Sequence, residues 1–210
     1  METRIAVLAS GGGTNLQALI DAWRAKQFTT AQLVLVLSNK SDAPALQRAN
    51  KADIPTVVVE PQEFKDKEAY DIALIKILNE YKVNLVCLAG YMRILTNKFV
   101  SNFSLKILNI HPSLLPSFGG QGMYGKYVHK AVINSGVRYS GCTVHFVDEG
   151  TDTGPIILQT VVPVKEKDTP ENLAERVLIE EHRAYPRAVA LFCEGRLQVT
   201  GRKVYILEKA

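Results

Sequence analysis

The sequence predicts an α/β protein whose N-terminal half is a doubly wound, mostly parallel sheet. Short apolar runs such as 5–9 alternate with stretches of helical periodicity such as 66–81. Fully apolar strands are typical of a sheet that helices cover on both faces. The C-terminal half differs, because two β segments at 141–147 and 156–164 are joined only by residues 148–155. So short a link indicates an antiparallel pair rather than a crossover.

The remaining elements follow from apolar runs, amphipathic stripes and turn residues. Strands are expected at 5–9, 33–37, 54–59, 85–89, 105–110, 141–147 and 156–164, with a hairpin at 196–200 and 204–207. Helices are expected at 16–23, 42–52, 66–81, 96–103 and 126–135, and from about 169. Thr169 is expected to cap the last helix, with Pro170 in its first turn. Pro186 is expected to kink or interrupt that helix.

Length and composition limit the class of protein. The 210 residues contain neither repeats nor a low-complexity linker, so we expect one continuous domain over 1–210, with halves at about 1–100 and 101–210. The formal charge of +4 is dispersed, which favours a mildly basic enzyme over a nucleic-acid binder. The three cysteines lack a metal-ligand spacing. No apolar run approaches the roughly 20 residues of a membrane helix, and we expect a cytoplasmic protein.

The first candidate site is the glycine turn, residues 10–15 (Ser-Gly-Gly-Gly-Thr-Asn). Glycines let the backbone approach a ligand, and the N-terminus of the following helix offers N–H groups and partial positive charge to a phosphate. Leu16 breaks the GxGxxG spacing and no Lys-Ser or Lys-Thr pair follows, so a dinucleotide fingerprint and a P-loop are excluded. A single phosphate, such as that of a ribose 5-phosphate, fits better. A tight turn without a ligand is the alternative.

The second candidate site is the end of the strand that leads into Asn109-Ile110-His111-Pro112. The side chains of Asn109 and His111 lie on one side of an extended chain, where core packing needs neither of them. An amide N–H can hold a carbonyl oxygen, and an imidazole can move protons near neutrality. The acidic loop 148–154 is either a solvated turn or the source of a carboxylate that stabilises the His111 cation.

Other polar or turn residues have simpler interpretations. His145 lies within a strand and is expected to be a hydrogen-bonded core histidine rather than a catalyst, whereas His129 is expected on a helix surface. Cys142 is expected to be a small core residue. The apolar turn 90–95 is either ordinary packing at a helix start or a slot in which backbone groups meet a flat heterocycle.

Six segments, in this order and at this spacing, together resemble the folate-dependent phosphoribosylglycinamide formyltransferases, a family of transferases in purine biosynthesis and one-carbon metabolism. The segments are SGGGTNL (10–16), SNK (38–40), LAGYMRIL (88–95), LNIHPSLLP (108–116), TVHFV (143–147) and DTGPIILQ (152–159). The resemblance implies a Rossmann-like three-layer fold. It also implies direct transfer of the formyl group from 10-formyltetrahydrofolate to the amine of glycinamide ribonucleotide, without a metal.

The resemblance implies roles for individual residues as well. The ribonucleotide would be bound through its phosphate by Gly13, Thr14 and Asn15 in the N-terminal half, and through its glycinamide part by Glu181. The folate would be bound by Lys67, Met92, Arg93, Ile94, Leu95 and Asn109. The catalytic residues would be Asn109, His111 and Asp152, with Asp152 as the acid that partners His111. Lys67 stands where many members have Arg, so the charge is kept but bidentate carboxylate binding is lost.

Three alternatives share part of this pattern. Methionyl-tRNA formyltransferase has the Asn-x-His core, but resembles a longer chain with a C-terminal RNA-binding domain. Formyltetrahydrofolate deformylase, a hydrolase, carries an N-terminal regulatory domain for which the early first strand leaves no room. A sugar-phosphate binding module would have no use for Asn109 with His111. The expected partners are therefore the two small substrates, with no nucleic acid and no membrane, and we expect a monomer or a weak homodimer.

Overall fold

The computed structural model describes residues 2–28 and 30–209 and divides into two compact units, Met1–Leu108 and Asn109–Ala210. The strands are β1 (Thr3–Ala9), β2 (Ala31–Ser38), β3 (Thr56–Val58), β4 (Leu85–Leu88), β5 (Ile107–His111), β6 (Tyr139–Phe146), β7 (Ile156–Pro163), β8 (Leu197–Thr200) and β9 (Lys203–Ile206). The α-helices are α1 (Thr14–Arg24), α2 (Pro44–Asn50), α3 (Lys67–Glu80), α4 (Asn97–Asn102), α5 (Lys126–Ser135) and α6 (Pro170–Cys193). A 3-10 turn covers Pro61–Glu63.

The first unit contains parallel strands in which β1 lies between β2 and β4, and β3 lies outside β2. β1 is fully buried from Ile5 to Ala9, as expected for a strand covered on both faces. α1 packs against α2 and β2, whereas α3 packs against α4. The third strand is shorter than the predicted 54–59. Pro55 has no N–H to donate to a ladder, and the pairing with β2 begins at Thr56.

The second unit contains the antiparallel portion. β6 pairs with β7 from Tyr139 opposite Pro163 to His145 opposite Ile156. β9 runs parallel to β7 and forms the C-terminal hairpin with β8, and α6 packs against β6, β7 and α5. The predicted fold class is confirmed: an α/β fold with a mostly parallel sheet and an antiparallel portion in the C-terminal half.

The long helix α6 begins as predicted and continues past Pro186. Thr169 Oγ1 accepts the Asn172 N–H at 3.2 Å in a capping box, and Pro170 is the first helical residue. Pro186 lies inside the helix, which continues past it, so of the two expected outcomes, a kink or an interruption, the interruption does not occur. Neighbours such as Tyr185 are buried, and this packing offsets the one backbone hydrogen bond that a proline removes. Neither α6 nor any other helix in the described part of the chain is long and apolar enough to cross a membrane.

Candidate active site

The glycine turn connects β1 to α1 and leaves backbone groups at the start of that helix. Gly13 is the N-cap residue in a left-handed conformation (φ 69°), and the first turn of α1 has no acidic residue. A Cβ on Gly13 would lie 2.7 Å from Ala45 Cα, so only glycine allows α2 to pack this closely. Thr14 is half-buried and Asn15 is buried. The positive end of the α1 dipole therefore has no nearby side-chain anion from that turn.

The turn 90–95 lies directly before α4, which begins at Asn97. Ser10 fixes its beginning: the Ser10 N–H donates to the Gly90 carbonyl at 3.2 Å, and Ser10 Oγ accepts the Met92 N–H at 2.8 Å. The same hydroxyl donates to Asn39 Oδ1 at 2.5 Å. Asp71 fixes the other end of the turn by accepting the N–H of residue 96 at 2.6 Å. The backbone N–H of Met92 is thus already engaged by the protein.

The side chains of this turn are divided between solvent and an aromatic support. Met92 and Ile94 are exposed, whereas the Arg93 guanidinium lies 4.8 Å from the centroid of the Tyr70 ring. The Tyr70 and Tyr91 hydroxyls are 2.6 Å apart, and burial raises the pKa of both. Both phenols therefore stay protonated at neutral pH, and their hydrogen bond anchors the turn on α3.

Two other predicted folate contacts need separate description. Lys67 is the exposed first residue of α3, where the helix cap is Asp66, whose side chain accepts the Ala69 N–H at 2.7 Å. Leu95 is half-buried at the end of the 90–95 turn. Both residues lie in the first unit, as do Met92, Arg93 and Ile94.

The centre of the second unit is a group that we call the histidine cluster: Asn109, His111, His145 and Asp152. His111, at the end of β5, is 4% exposed, and its Nδ1 lies 3.5 Å from Asp152 Oδ2. Its Nε2 lies 2.9 Å from the Phe118 carbonyl oxygen. Because a carbonyl can only accept, Nε2 carries a proton. Nδ1 is then the ring nitrogen that faces the Asp152 carboxylate.

His145 was not predicted as part of the site, yet it holds Asn109. Its Nδ1 lies 2.8 Å from the Phe146 carbonyl oxygen, which fixes the ring proton on Nδ1. Its Nε2 lies 3.1 Å from Asn109 Nδ2 and, in the neutral ring, accepts one amide N–H. Burial lowers the pKa of His145, which favours this neutral form. The second Asn109 N–H stays available for another acceptor.

The prediction that His145 is a hydrogen-bonded core histidine is confirmed, and its contact with Asn109 extends it. His145 Nε2 also lies 3.7 Å from Asp152 Oδ1, so one carboxylate faces both histidines. The sequence signal for this contact was the alternation in β6, which turns residues 143 and 145 to one face. The partner 36 residues earlier in the chain carried no local signal.

Asp148 and Asp152 of the loop 148–154 make different contacts. Asp148 Oδ1 accepts the Gly150 N–H at 3.1 Å and the Thr153 hydroxyl at 2.6 Å, so Asp148 closes the loop on itself. Asp152, in a left-handed conformation (φ 58°), is the acid that meets the histidine cluster. Its Oδ2 also accepts the Gly120 N–H at 3.0 Å.

A buried hydroxyl network fixes the segment that follows His111. Thr143 Oγ1 donates to the Ser113 carbonyl at 2.6 Å and accepts the Leu115 N–H at 3.0 Å. Gln159 Nε2 donates to the Leu115 carbonyl at 2.9 Å. The Ser113 hydroxyl donates to the carbonyl of residue 117 at 2.6 Å. This network ties residues 113–117 to β6 and β7, and it therefore determines where the Phe118 carbonyl meets His111.

The helices of the second unit contribute two further titratable side chains. Glu181, the predicted substrate contact, is buried on α6. Burial, followed by the Glu181 charge, raises the pKa of the Cys142 thiol to about 12, in keeping with a core cysteine. The prediction for His129 is wrong, because this residue is 5% exposed on the inner face of α5 beside Val128 and Val132. Burial lowers the pKa of His129, and the His111 charge lowers it further.

The second unit offers an amide donor and an imidazole paired with a carboxylate, and the first unit offers a helix N-terminus suited to an anion. Within residues 2–28 and 30–209 there is no group of three or more His, Cys, Asp or Glu that could hold a metal ion. The chemistry available from these side chains is stabilisation of a developing oxyanion and proton transfer.

Comparison with known proteins relates this geometry to one family. The sequence profile of a family described as "Formyl transferase" matches residues 3–189. The trifunctional purine biosynthetic protein adenosine-3 of Bos taurus is 47% identical over 209 residues, which is 99% of this chain and 20% of that protein. The chloroplastic phosphoribosylglycinamide formyltransferase of Arabidopsis thaliana is 42% identical, with 93% of this chain and 67% of that protein covered. The chain thus spans about a fifth of the length of the first of these relatives.

The solved structures agree with the sequence comparison. The crystal structure of glycinamide ribonucleotide transformylase 1 from Symbiobacterium toebii superposes with a TM-score of 0.94 at 47% identity, and the match covers 99% of this chain and 95% of that one. The resemblance inferred from the six sequence segments is confirmed.

Proposed function

The chain belongs to the formyl transferase family, and on this premise we propose that it transfers the formyl group of 10-formyltetrahydrofolate to the amine of glycinamide ribonucleotide. The products are formylglycinamide ribonucleotide and tetrahydrofolate, a step of purine biosynthesis. The observation that carries the proposal is the approach of Asp152 to His111 at 3.5 Å beside an Asn109 amide with one N–H to spare. Relatives whose names state this reaction support the choice of substrates.

The glycine turn is the proposed phosphate subsite. Gly13, Thr14 and Asn15 lie at the N-terminus of α1, where backbone N–H groups and the helix dipole favour an anion. One phosphate suits the turn better than a pyrophosphate, because the GxGxxG spacing is missing. Glu181 is the proposed contact to the glycinamide part.

The turn 90–95 is the proposed folate subsite, together with Lys67 and Asn109. Because Ser10 already engages the Met92 N–H, the pterin would contact Met92 through its exposed side chain, and backbone groups would come from Arg93, Ile94 and Leu95. The Lys67 ammonium would attract the folate carboxylates as a point charge rather than through a bidentate pair. These contacts would orient the formyl carrier, which supplies a proximity contribution to the rate.

Asn109 is the proposed donor to the formyl oxygen. The ribonucleotide amine attacks the formyl carbon, and the oxygen gains negative charge as the carbon becomes tetrahedral. One N–H of Asn109 is held by His145, so the amide cannot turn its oxygen towards the substrate without losing that bond. The other N–H then stabilises the oxyanion.

His111 is the proposed acid. The Phe118 carbonyl keeps one proton on Nε2, and Nδ1, which lies 3.5 Å from Asp152 Oδ2, is the proposed position of the transferred proton. That Nδ1 proton goes to the departing folate N10 as the C–N bond breaks, after which the attacking nitrogen loses its own proton to the ring. No covalent intermediate with the protein is required.

The proposal extends to the organisation of the chain. We propose that residues 1–210 work as one formyltransferase domain, cytoplasmic, as a monomer or a weak homodimer, with small molecules as its partners. The names of plant relatives include "chloroplastic", so the compartment depends on the organism. Gel filtration coupled to light scattering would measure the oligomeric state directly.

One assay tests the reaction. Purified protein is mixed with 10-formyltetrahydrofolate, with and without glycinamide ribonucleotide, and tetrahydrofolate release is followed by absorbance. Release that depends on the ribonucleotide is the expected result. Release at the same rate without the ribonucleotide would instead identify a 10-formyltetrahydrofolate hydrolase, and release only with another amine acceptor would identify a different folate-dependent formyltransferase.

A further inference from the structure

A basic side chain that none of the roles above uses lies directly behind the glycine turn. Arg48, half-buried on α2, donates through Nε to the Gly12 carbonyl at 2.8 Å. Its Nη1 donates to Gln17 Oε1 on α1 at 3.3 Å. One guanidinium therefore joins the glycine turn to both of the helices that flank it.

The bond to Gly12 controls the direction of the next N–H. In a trans peptide the carbonyl of one residue and the N–H of the following residue point in opposite directions. When Arg48 holds the Gly12 carbonyl on the α2 side, the Gly13 N–H of the same peptide points to the other side of the turn. Gly13 is the residue that caps α1, so this N–H is one of those proposed to meet the phosphate.

Other contacts hold the turn in the same position against α2. The Ala45 N–H donates to the Gly11 carbonyl at 3.0 Å, so two successive carbonyls of the turn are bound from α2. A Cβ on Gly13 would be 2.7 Å from Ala45 Cα and 3.4 Å from Arg48 Cδ. The Arg48 stem thus lies close to Gly13, and two hydrogen bonds fix the orientation of its guanidinium.

Arg48 also brings a permanent charge. A guanidinium is charged at neutral pH, and a half-buried charge is screened less by solvent than a fully exposed one. Its bond to the Gly12 carbonyl is charge-assisted and stronger than a bond between neutral groups. The peptide between Gly12 and Gly13 is therefore polarised towards a more positive N–H.

We propose that Arg48 is a positioning residue of the phosphate subsite. It orients and polarises the Gly12–Gly13 peptide for the phosphate of glycinamide ribonucleotide and discriminates a phosphomonoester from a neutral sugar, without contacting the phosphate itself. This role rests on the proposed function, because that function supplies the phosphate.

The test compares three variants. Arg48→Met keeps most of the stem and removes the charge and both donors, whereas Arg48→Lys keeps the charge but loses the planar donor geometry. Arg24→Met is the matched control: Arg24 ends α1 and donates to the Lys51 carbonyl at 3.4 Å, so its loss changes the net charge equally without touching the turn. Circular dichroism and thermal unfolding verify that each variant is folded. If Arg48→Met does not fold, Arg48→Gln is used in its place.

Steady-state kinetics and calorimetry give the decisive readouts. Arg48→Met should raise the KM for glycinamide ribonucleotide ~10-fold, the range for one charge-assisted hydrogen bond, with kcat and the folate KM within about twofold of wild type. Affinity for ribose 5-phosphate should fall by the same factor, while affinity for glycinamide riboside, which lacks the phosphate, stays unchanged. Arg48→Lys should recover part of the loss, and Arg24→Met should behave as wild type.

Specific results would overturn the proposal. These are a ribonucleotide KM in Arg48→Met equal to that of Arg24→Met, or an equal loss of affinity for the phosphorylated and unphosphorylated ligands. The calorimetric measurement of ribose 5-phosphate binding does not depend on catalysis. If wild type binds ribose 5-phosphate but transfers no formyl group, the proposed function fails while Arg48 is still judged by the calorimetry. If wild type binds no phosphate ester at all, the role of Arg48 fails as well.

Discussion

The glycine turn and the histidine cluster differ in which part of the chain supplies the groups proposed to meet a substrate. In the glycine turn the proposed binding groups are backbone N–H groups, and side chains act only from behind, as Ala45 and Arg48 do. In the histidine cluster the working groups are side chains, and the backbone serves them, as the Phe118 carbonyl does for His111. The first region should therefore be sensitive to added volume, and the second to the loss of single functional groups.

The largest expected effect is in the histidine cluster. His111→Ala should lower kcat by about 10² to 10⁴, the usual contribution of a positioned acid, because no other side chain of the cluster replaces its Nδ1 proton. Both KM values should change little, because the proposed binding contacts lie elsewhere. Stopped-flow measurement of the transfer step would check this, and a kcat close to that of wild type would refute the proposed role.

The second-largest expected effect is a loss of stability when a side chain is added in the glycine turn. Gly13→Ala should cost about 1–3 kcal/mol of unfolding free energy, because the residue has a positive φ and its Cβ would meet Ala45 Cα at 2.7 Å. Displacement of α2 should also raise the ribonucleotide KM. Gly12→Ala is the control, since a Cβ there meets nothing within 4 Å. Urea unfolding of both variants measures the difference, and equal midpoints would show that the turn has no need of glycine at position 13.

A smaller effect on kcat is expected when His145 no longer accepts a hydrogen bond from Asn109. His145→Leu removes the acceptor of the Asn109 N–H and should lower kcat about 10-fold, because a displaced oxyanion donor loses part of its stabilisation. His145→Gln can still present an acceptor oxygen and should recover most of that loss. If both variants are equally impaired despite intact folding, Asn109 does not depend on His145 for its orientation.

The smallest effect is on stability as a function of pH. Burial lowers the pKa of His129, whereas a histidine in the unfolded chain has a pKa of about 6.5. Below that pH the unfolded chain binds the proton first, so stability falls as pH drops towards the folded pKa, by up to about 1.4 kcal/mol per pH unit. His129→Leu should lose less stability than wild type between pH 7 and 5.5 in urea titrations. Equal losses would mean that folded His129 titrates normally.

Local patterns were sufficient for most of the fold. The helix at 126–135 was predicted with the bounds that the structure shows, because apolar spacing and the following glycine define it. At Pro186 the sequence allowed a kink or an interruption, and the interruption does not occur, because the burial of neighbouring residues stabilises α6 on both sides of the proline. His129 was misjudged although Val132, three residues on, gave a usable signal that the same helix face is buried.

The site was predictable only as far as its motifs reached. The resemblance named Asp152 as the partner of His111, and the structure brings the two together. The contacts that fix the working groups were not predictable, because they join distant positions. Met92 is bound by Ser10, 82 residues away, and Asn109 by His145, 36 residues away. Neither pair has a spacing rule, since each arises from the order of strands rather than from periodicity along one element.

The Ser10 hydroxyl has a consequence for redesign of this protein. One oxygen serves both the glycine turn and the turn at 90–95, by accepting the Met92 N–H while donating to Asn39. The two turns are therefore not independent modules. A library that varies residue 10 in search of a different ligand preference would at the same time alter the support of the turn at 90–95. Useful diversity is better introduced at Gly12, where there is open space and only the backbone is in use.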